Sequence, residues 1–242
     1  MRTIVAMLTL LLGMASQLPA NAAALKVAPV SLSVSAPAAA TTLRLTNAAN
    51  RPANVQIRVF RWSQTDGKDQ LEPTRDVVVS PPIAALGAGA QQTVRVVRIA
   101  KSPISSEESY RLIVDSLPQP GSRKNGTVSF LLRYSIPLFF VPTDTTSPRL
   151  AWSVRYDRNR FVLSAANLGA TREKITGIRL RDADGVDRRL ADGLVGYVLG
   201  ESSMNWRFGP AQGGAPIPGP AVLQYRSDSG TVDVPVDLRL GD

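Results

Sequence analysis

The 242-residue chain contains no cysteine and no histidine. Without cysteine it can form neither disulfides nor thiolate metal sites, so its stability must come from hydrophobic cores. Without histidine it lacks the Ser-His-Asp triad, the usual zinc ligands of hydrolases and a histidine general base. Glutamate is scarce, and no paired-carboxylate motif of the glycoside hydrolase kind is recognisable. These absences predict that the chain is not an enzyme and that it uses no metal and no cofactor.

Long apolar runs are also rare, and the one that is present lies at the N-terminus. A positive start at Arg2 is followed by the apolar residues 4–18 and by small residues up to Ala22. This order is typical of a secretory signal peptide, which predicts residues 1–22 as a signal cleaved after Ala22, with Ala24 as the alternative. A membrane anchor is the other interpretation, but the run is shorter than the roughly 20 apolar residues that span a bilayer. The remainder is expected to be exported, without stable membrane insertion.

Positive charge is in excess, with 28 Lys and Arg against 19 Asp and Glu and a formal net charge of +9. Such a balance is compatible with an acidic partner, a nucleic acid or an anionic surface. However, the charges are single arginines spread along the chain, and no dense Lys/Arg block occurs. We therefore interpret most of them as solvated strand faces, and predict no nucleic-acid partner.

Apolar and polar residues alternate in short segments separated by turn residues, which is typical of β-strands. In residues 54–62, for example, Val55, Ile57 and Val59 fall on one predicted face. About seven such strands over about 120 residues indicate an immunoglobulin-like sandwich. The strands predicted in the first half of the chain are 25–34, 42–46, 54–62, 77–79, 92–99, 110–114 and 128–141.

A polar segment bounded by Pro142 and Pro148 separates these strands from a second group. The strands predicted beyond it are 151–156, 160–167, 174–181, 187–190 and 231–240. The chain is therefore predicted to be all-β, with an N-terminal domain over 23–142, a linker over 143–148 and a smaller C-terminal β-sandwich over 149–242.

Several segments resemble, in their order and spacing, the periplasmic pilus chaperones of the chaperone–usher family, which are PapD-like proteins. The form Arg-Tyr-Ser-Ile-Pro at residues 133–137 is most similar to the archaic, spore-coat-protein-like branch of that family. The resemblance covers nearly the whole chain after the signal and is greatest in the first domain. The segments that carry it are 27–32, 43–47, 55–62, 80–95, 110–118 and 130–142.

This resemblance implies two immunoglobulin-like domains set at an angle, with a cleft between them. It implies a periplasmic chaperone that folds and caps pilus or fimbrial subunits and delivers them to an outer-membrane usher. The implied mechanism is donor-strand complementation, in which a chaperone strand fills the groove of an incomplete subunit by β-augmentation.

An ungapped match to the family makes Val128, Phe130 and Leu132 the expected donor residues. Because both faces of segment 128–138 are apolar near its middle, a donor strand is favoured, although a central core strand is the alternative. Pro137 favours an edge position, since it has no N–H to donate.

Family members anchor the carboxylate at the C-terminus of the subunit with two cations. The matching positions here are Val30 and Pro137, neither of which can bind a carboxylate. Arg111 and Arg133 are predicted to replace them, because a guanidinium can bind a carboxylate through two hydrogen bonds. The alternative for each is an ordinary exposed arginine on a strand.

Three other functions compete with chaperoning. An exported structural or adhesive β-sandwich protein of a surface fibre is the first alternative, but a fibre subunit has an N-terminal extension and an incomplete domain. A polysaccharide hydrolase that uses only carboxylates is disfavoured by the missing acid pairs. A protein that binds an anionic polymer through its positive charge would lose its ligand in high salt.

Overall fold

The computed structural model describes residues 25–118, 131–209 and 214–241. All of the regular structure within these ranges is β-strand, as predicted, and none of it is a helix that could cross a membrane. In chain order the strands are β1 (Leu25–Ala28), β2 (Leu32–Ser35), β3 (Ala40–Asn47), β4 (Ala53–Thr65), β5 (Lys68–Pro73), β6 (Val77–Ser80), β7 (Ile83–Leu86), β8 (Gln91–Arg98), β9 (Glu108–Leu117), β10 (Arg133–Val141), β11 (Leu150–Asp157), β12 (Arg160–Asn167), β13 (Glu173–Arg181), β14 (Asp187–Val198), β15 (Ser203–Phe208), β16 (Gly219–Ser227) and β17 (Gly230–Leu240).

The first ten strands form two sheets packed face to face. One sheet has four strands in the order β1-β3-β8-β6. The other has six, in the order β2-β10-β9-β4-β5, with β7 also paired to β4. The remaining strands form one seven-stranded sheet in the order β14-β13-β16-β17-β11-β12-β15, which folds over its own hydrophobic core.

Strict alternation in the sequence explains the first sandwich. In β3 and β8, Leu43, Leu45, Val94 and Val96 are fully buried, while the residues between them are more exposed. Side chains on alternate positions of a strand point to opposite sides of the sheet, so these residues form one wall of the core. The six-stranded sheet supplies the other wall with residues of β4, β9 and β10.

The first predicted strand, residues 25–34, is two strands in the structure. β1 pairs antiparallel with β3 in the four-stranded sheet, whereas β2 pairs parallel with β10 in the six-stranded sheet. The chain changes sheet between Ala28 and Leu32, where Pro29 has no N–H to continue a ladder. The loose alternation of this segment therefore reflects a change of sheet rather than one weak strand.

The second sandwich has more strand than the sequence predicts. The predicted strand 187–190 is the start of β14, which continues to Val198, and neither β15 nor β16 was predicted. Gly193 and Gly196 have positive φ angles within β14, and the β13–β14 register shifts at several points. Because each shift moves side chains off strict period-two alternation, the pattern in the sequence is obscured there.

Candidate functional site

The strand β10 is paired on both sides over only part of its length. All residues from Arg133 to Phe140 pair with β9, but β2 pairs only with residues 138–141. In the part of the chain that the structure describes, residues 133–137 therefore present a free strand edge. Pro137 is the last residue of this open half, which agrees with the edge position expected for it.

The two halves of β10 also differ in burial. In the open half, Arg133 and Ser135 are exposed, while Tyr134 packs against the core of the first sandwich. In the paired half both faces are buried, because Leu138 faces that same core while Phe139 faces the second sandwich. Residues 138–141 thus pack against both sandwiches, whereas the choice between a donor strand and a core strand for the middle of segment 128–138 stays a prediction.

Leu132 is the one predicted donor residue that the structure describes, since Val128 and Phe130 lie outside the described residues. Its N–H donates to Ser116 Oγ (2.7 Å), and its carbonyl accepts from the Ser116 N–H (2.9 Å). The side chain is half-buried against the first core, whereas its neighbour Leu131 is 57% exposed. Leu132 thus immediately precedes the open half of β10.

Arg111 lies in β9 directly opposite Pro137, so the two side chains share one face of the six-stranded sheet. Its guanidinium carbon is 3.7 Å from the centroid of the Trp62 ring and 5.8 Å from that of Tyr197. Burial lowers the pKa of Arg111, and the charge of Asp69 partly offsets this effect. Among the described residues, no side chain forms an ion pair or a hydrogen bond with this guanidinium.

Arg133 has a different environment. It lies opposite Asp115, and its Nε is 2.5 Å from Asp115 Oδ1. Arg58 also binds this carboxylate, with 2.7 Å between its Nη2 and Asp115 Oδ2. Hydrogen bonding from Arg133, together with that from Arg58, lowers the pKa of Asp115. The structure does not bring the two predicted anchors together, because Asp115 is four residues along β9 from Arg111.

The base of the cleft is an aromatic cluster shared by the two sandwiches. Trp62 and Phe139 of the first sandwich pack against Tyr197 and Leu199 of the second. The Trp62 and Tyr197 rings meet edge to face, with their centroids 5.7 Å apart. The side chain of Gln64 donates to the Tyr197 carbonyl and accepts from the Leu199 N–H, both at 2.9 Å, as a strand backbone would. The cleft is therefore closed on one side by a packed and hydrogen-bonded junction.

The same junction contains an ion pair that the sequence did not predict. Glu107 and Arg172 pair across the two sandwiches, and the Arg172 guanidinium lies 3.6 Å from the centroid of the Phe139 ring. Glu107 and Arg172 each lie one residue before a strand, outside its alternation of apolar and polar side chains, and they are 65 positions apart in sequence. No local pattern could have connected them.

A metal centre is not evident in the described ranges. No three acidic side chains there are grouped closely enough to hold an ion. The notable electrostatic feature of the cleft is instead the guanidinium of Arg111, which has no ion pair among the described residues and lies opposite Pro137 of the open half of β10. This arrangement is suited to binding an extended peptide that carries a carboxylate.

Comparison with known proteins identifies the family. The profile of the pili and flagellar-assembly chaperone family, PapD N-terminal domain, matches residues 24–146. No curated protein sequence matches the chain. A chain of the CsuC–CsuE chaperone–tip adhesion subunit pre-assembly complex, from the archaic chaperone-usher Csu pili of Acinetobacter baumannii, is 27% identical. That alignment covers 90% of this chain and 99% of the other, with a TM-score of 0.65.

Two further structures share the fold. The Salmonella enterica SafA pilin–SafB chaperone complex contains a chain 19% identical, with 88% of this chain and 94% of that chain covered and a TM-score of 0.58. The Pseudomonas aeruginosa CupB2 chaperone is 17% identical, with 87% and 98% covered and a TM-score of 0.55. The predicted fold of two immunoglobulin-like sandwiches with a cleft between them is confirmed. Because the family profile covers half of the sequence, the chain belongs to the PapD-like pilus-assembly chaperones, which are periplasmic proteins of the chaperone–usher pathway.

Proposed function

We propose that this chaperone caps pilus subunits by donor-strand complementation along the open half of β10 and delivers them to an outer-membrane usher. The proposal rests on the open half of β10, which ends opposite the half-buried Arg111, a guanidinium without an ion pair in the part of the chain that the structure describes. The relatives described as chaperone–subunit complexes support it. The 27% identity to the Csu complex supports assignment to the archaic branch.

The physical basis is β-augmentation. A subunit that lacks one strand leaves an apolar groove and an unpaired edge, which favours aggregation. Main-chain hydrogen bonds from a donor strand would satisfy that edge, and alternate side chains would fill the groove. Val128, Phe130 and Leu132 are proposed as the groove-filling residues, since they precede residues 133–137 at alternate positions.

Arg111 is proposed as the anchor for the C-terminal carboxylate of the subunit. The family position for one anchoring cation falls on Pro137, and Arg111 is directly opposite it on the same face. A cation that is partly removed from water, and whose nearby charge Asp69 offsets burial only in part, gains much from an incoming carboxylate. Stacking on Trp62 holds its guanidinium plane in place. Arg133 stays a prediction, because its guanidinium is already paired with Asp115.

The domain division and the export route are part of the same proposal. A first domain over 23–142 and a second over 149–242, joined by a linker over 143–148, are supported by the strand pairing. Among the described strands, no ladder joins β1–β10 to β11–β17. A signal peptide over residues 1–22 agrees with the periplasmic family. The protein is proposed to act by binding, without catalysis or a cofactor.

Co-purification tests the donor strand. The tagged chain is expressed with the subunits of its own assembly system and washed in high salt. We expect a subunit to co-purify with the normal chain and with Leu194→Arg, which alters a leucine that is 59% exposed on β14. Leu132→Arg should lose the subunit while remaining folded by circular dichroism. Equal retention by the folded Leu132→Arg variant would contradict the donor mechanism.

The anchor is tested separately with Arg111→Gln and Arg133→Gln. We expect Arg111→Gln to reduce subunit retention at least tenfold and Arg133→Gln to change it by less than about threefold, as for an exposed ion pair. A subunit with an amidated C-terminus should be insensitive to Arg111→Gln, because it has no carboxylate to anchor. If Arg133→Gln has the larger effect, the anchor is Arg133.

A further inference from the structure

The outward face of the four-stranded sheet has positive charge and no negative charge. β1, β3, β6 and β8 contain no aspartate and no glutamate. Lys26, Arg44 and Arg95 project from this face and are exposed. No side chain in the part of the chain that the structure describes pairs with any of the three. We call these three residues and the neutral side chains between them the cationic face.

The three cations form a diagonal line across three neighbouring strands. Lys26 lies opposite Thr46, which is two residues from Arg44 on β3. Arg44 in turn lies opposite Thr93, which is two residues from Arg95 on β8. Diagonal neighbours on adjacent strands are about 7–8 Å apart, so the charges are evenly spaced along the line.

The residues around this line are small or neutral, which leaves the cations accessible. Ala28, Thr42, Thr46 and Thr93 occupy the neighbouring outward positions. The cationic face spans two inter-strand spacings, about 10 Å. A face of this width buries far less than the roughly 800 Å² per partner of a standard stable interface. Binding to the cationic face would therefore be weak and electrostatic.

We propose that the cationic face docks an acidic, extended segment of a partner protein, with carboxylates at alternate positions. Side chains two residues apart on an extended chain are about 6.6–7 Å apart, which matches the spacing of the cations. Threonine hydroxyls between the cations can hydrogen-bond to the backbone or the carboxylates of such a segment.

Other occupants fit this face less well. A second copy of the chain is repelled, since the protein has a net charge of +9. Binding sites for anionic lipid typically gather four to eight basic residues, more than this face provides. The face belongs to the sheet opposite the one that contains β10, so a docked segment and a capped subunit would not compete. Docking at the cationic face therefore does not depend on donor-strand capping.

A labelled eleven-residue peptide of alternating glutamate and threonine, with blocked ends, tests this docking site. Its fluorescence anisotropy is measured against the full chain at low and at physiological ionic strength. The test variant is Lys26→Gln/Arg44→Gln/Arg95→Gln. The matched control, Lys101→Gln/Arg155→Gln/Arg207→Gln, removes the same charge from exposed positions elsewhere. Thermal unfolding checks that both variants are folded.

We expect the test variant to weaken peptide binding about tenfold, because each exposed ion pair contributes a factor of roughly 1.5 to 5. The control should weaken it by less than about twofold, and physiological salt should weaken binding to the normal chain. Equal weakening by both variants would mean that only net charge matters, which overturns the proposal. Binding to phosphatidylglycerol vesicles that depends on the three cations, without peptide binding, would also overturn it.

Discussion

Glu107 and Arg172 form an ion pair that connects the two β-sandwiches. The Glu107 side chain is 2% exposed, and its Oε1 also accepts a hydrogen bond from the Arg172 backbone N–H at 3.0 Å. Arg172 lies directly before β13 of the seven-stranded sheet, and its guanidinium covers the Phe139 ring. The Glu107 carboxylate therefore binds both the guanidinium and the backbone N–H of Arg172 in the second sandwich.

We expect Glu107→Ala to lower the free energy of unfolding by about 3 kcal/mol, because it leaves the mostly buried guanidinium and the backbone N–H of Arg172 without their hydrogen-bond acceptor. Glu107→Gln should cost less than about 1 kcal/mol, since its amide oxygen can still accept from Arg172. Urea unfolding measures both values. Glu201→Ala, at an exposed glutamate, is the control and should have little effect. Equal losses from the two Glu107 variants would show that charge, rather than hydrogen bonding, dominates this contact.

The same carboxylate predicts a pH dependence of stability. Burial raises the pKa of Glu107 above its ordinary value, and the attraction of Arg172 offsets only part of that effect. Between the ordinary and the raised pKa the folded state binds more protons than the unfolded state. Rising pH in that window therefore lowers the contribution of Glu107 to stability. Above the raised pKa the contribution is constant.

We expect the stability difference between the normal chain and Glu107→Gln to decrease as pH rises above about 4.3, the ordinary pKa of glutamate, and then to level off. Urea unfolding at several pH values measures it, and the difference removes the effect of every other titrating group. A difference that increases over this range would mean that Arg172 outweighs burial and that the pKa is lowered.

Most of the first sandwich could be predicted from sequence, because apolar and polar residues alternate regularly along its strands. Residues 54–62 fall within β4, and residues 92–99 correspond to β8 apart from the last position. β5 was missed because all of its residues are exposed, so it has no apolar alternation. In the second sandwich, β14 was only partly predicted because glycines and register shifts interrupt its pattern.

The cleft was harder to predict than the strands. Family resemblance identified Arg111 as a candidate, and its place opposite Pro137 required the strand register. The pairing of Arg133 with Asp115 and the contact of Glu107 with Arg172 depend on residues distant in sequence. Interactions of this kind arise from tertiary packing and leave no local signal in the chain.

The hairpin between β4 and β5 contributes another junction contact, at Gly67. Asp66 and Gly67 both have positive φ, as a type I′ turn requires, and the Gly67 carbonyl accepts from the Asn205 N–H at 3.1 Å. A Cβ on Gly67 would lie 2.0 Å from Asn205 Nδ2. Gly89 provides a matched position with a φ of +71, because a Cβ added there would have no other atom within 4 Å.

We expect Gly89→Ala to cost about 1–2 kcal/mol from left-handed backbone strain alone. Gly67→Ala should cost about 1 kcal/mol more, because its Cβ also displaces the Asn205 side chain. In an Asn205→Ala background this extra cost should largely disappear. Urea unfolding of the four proteins in the double-mutant cycle measures the coupling. If the costs of Gly67→Ala and Asn205→Ala simply add, the hairpin moves away from β15 without any further loss of stability.

Two acidic residues of β9 allow a test of how burial governs ion-pair strength. Glu108 accepts from Arg98 through both oxygens, at 2.7 and 2.8 Å, and from Tyr110 Oη at 2.9 Å. Asp115 also accepts from two partners, Arg58 and Arg133. The difference lies in the cations, because the Arg98 side chain is 6% exposed whereas those of Arg58 and Arg133 are 43% and 66% exposed.

We expect Glu108→Ala to lower the free energy of unfolding by about 3–5 kcal/mol, since it leaves Arg98 buried without a counter-charge. Asp115→Ala should cost no more than about 1 kcal/mol, because water can solvate both of its arginines. Burial alone would raise the pKa of Glu108, but hydrogen bonds from Arg98 and Tyr110 outweigh it and lower that pKa. The contribution of Glu108 is therefore present above the ordinary glutamate pKa and is lost as pH falls through the lowered value. Urea unfolding at neutral and acid pH measures both effects, and similar costs for the two variants at neutral pH would refute the role assigned to burial.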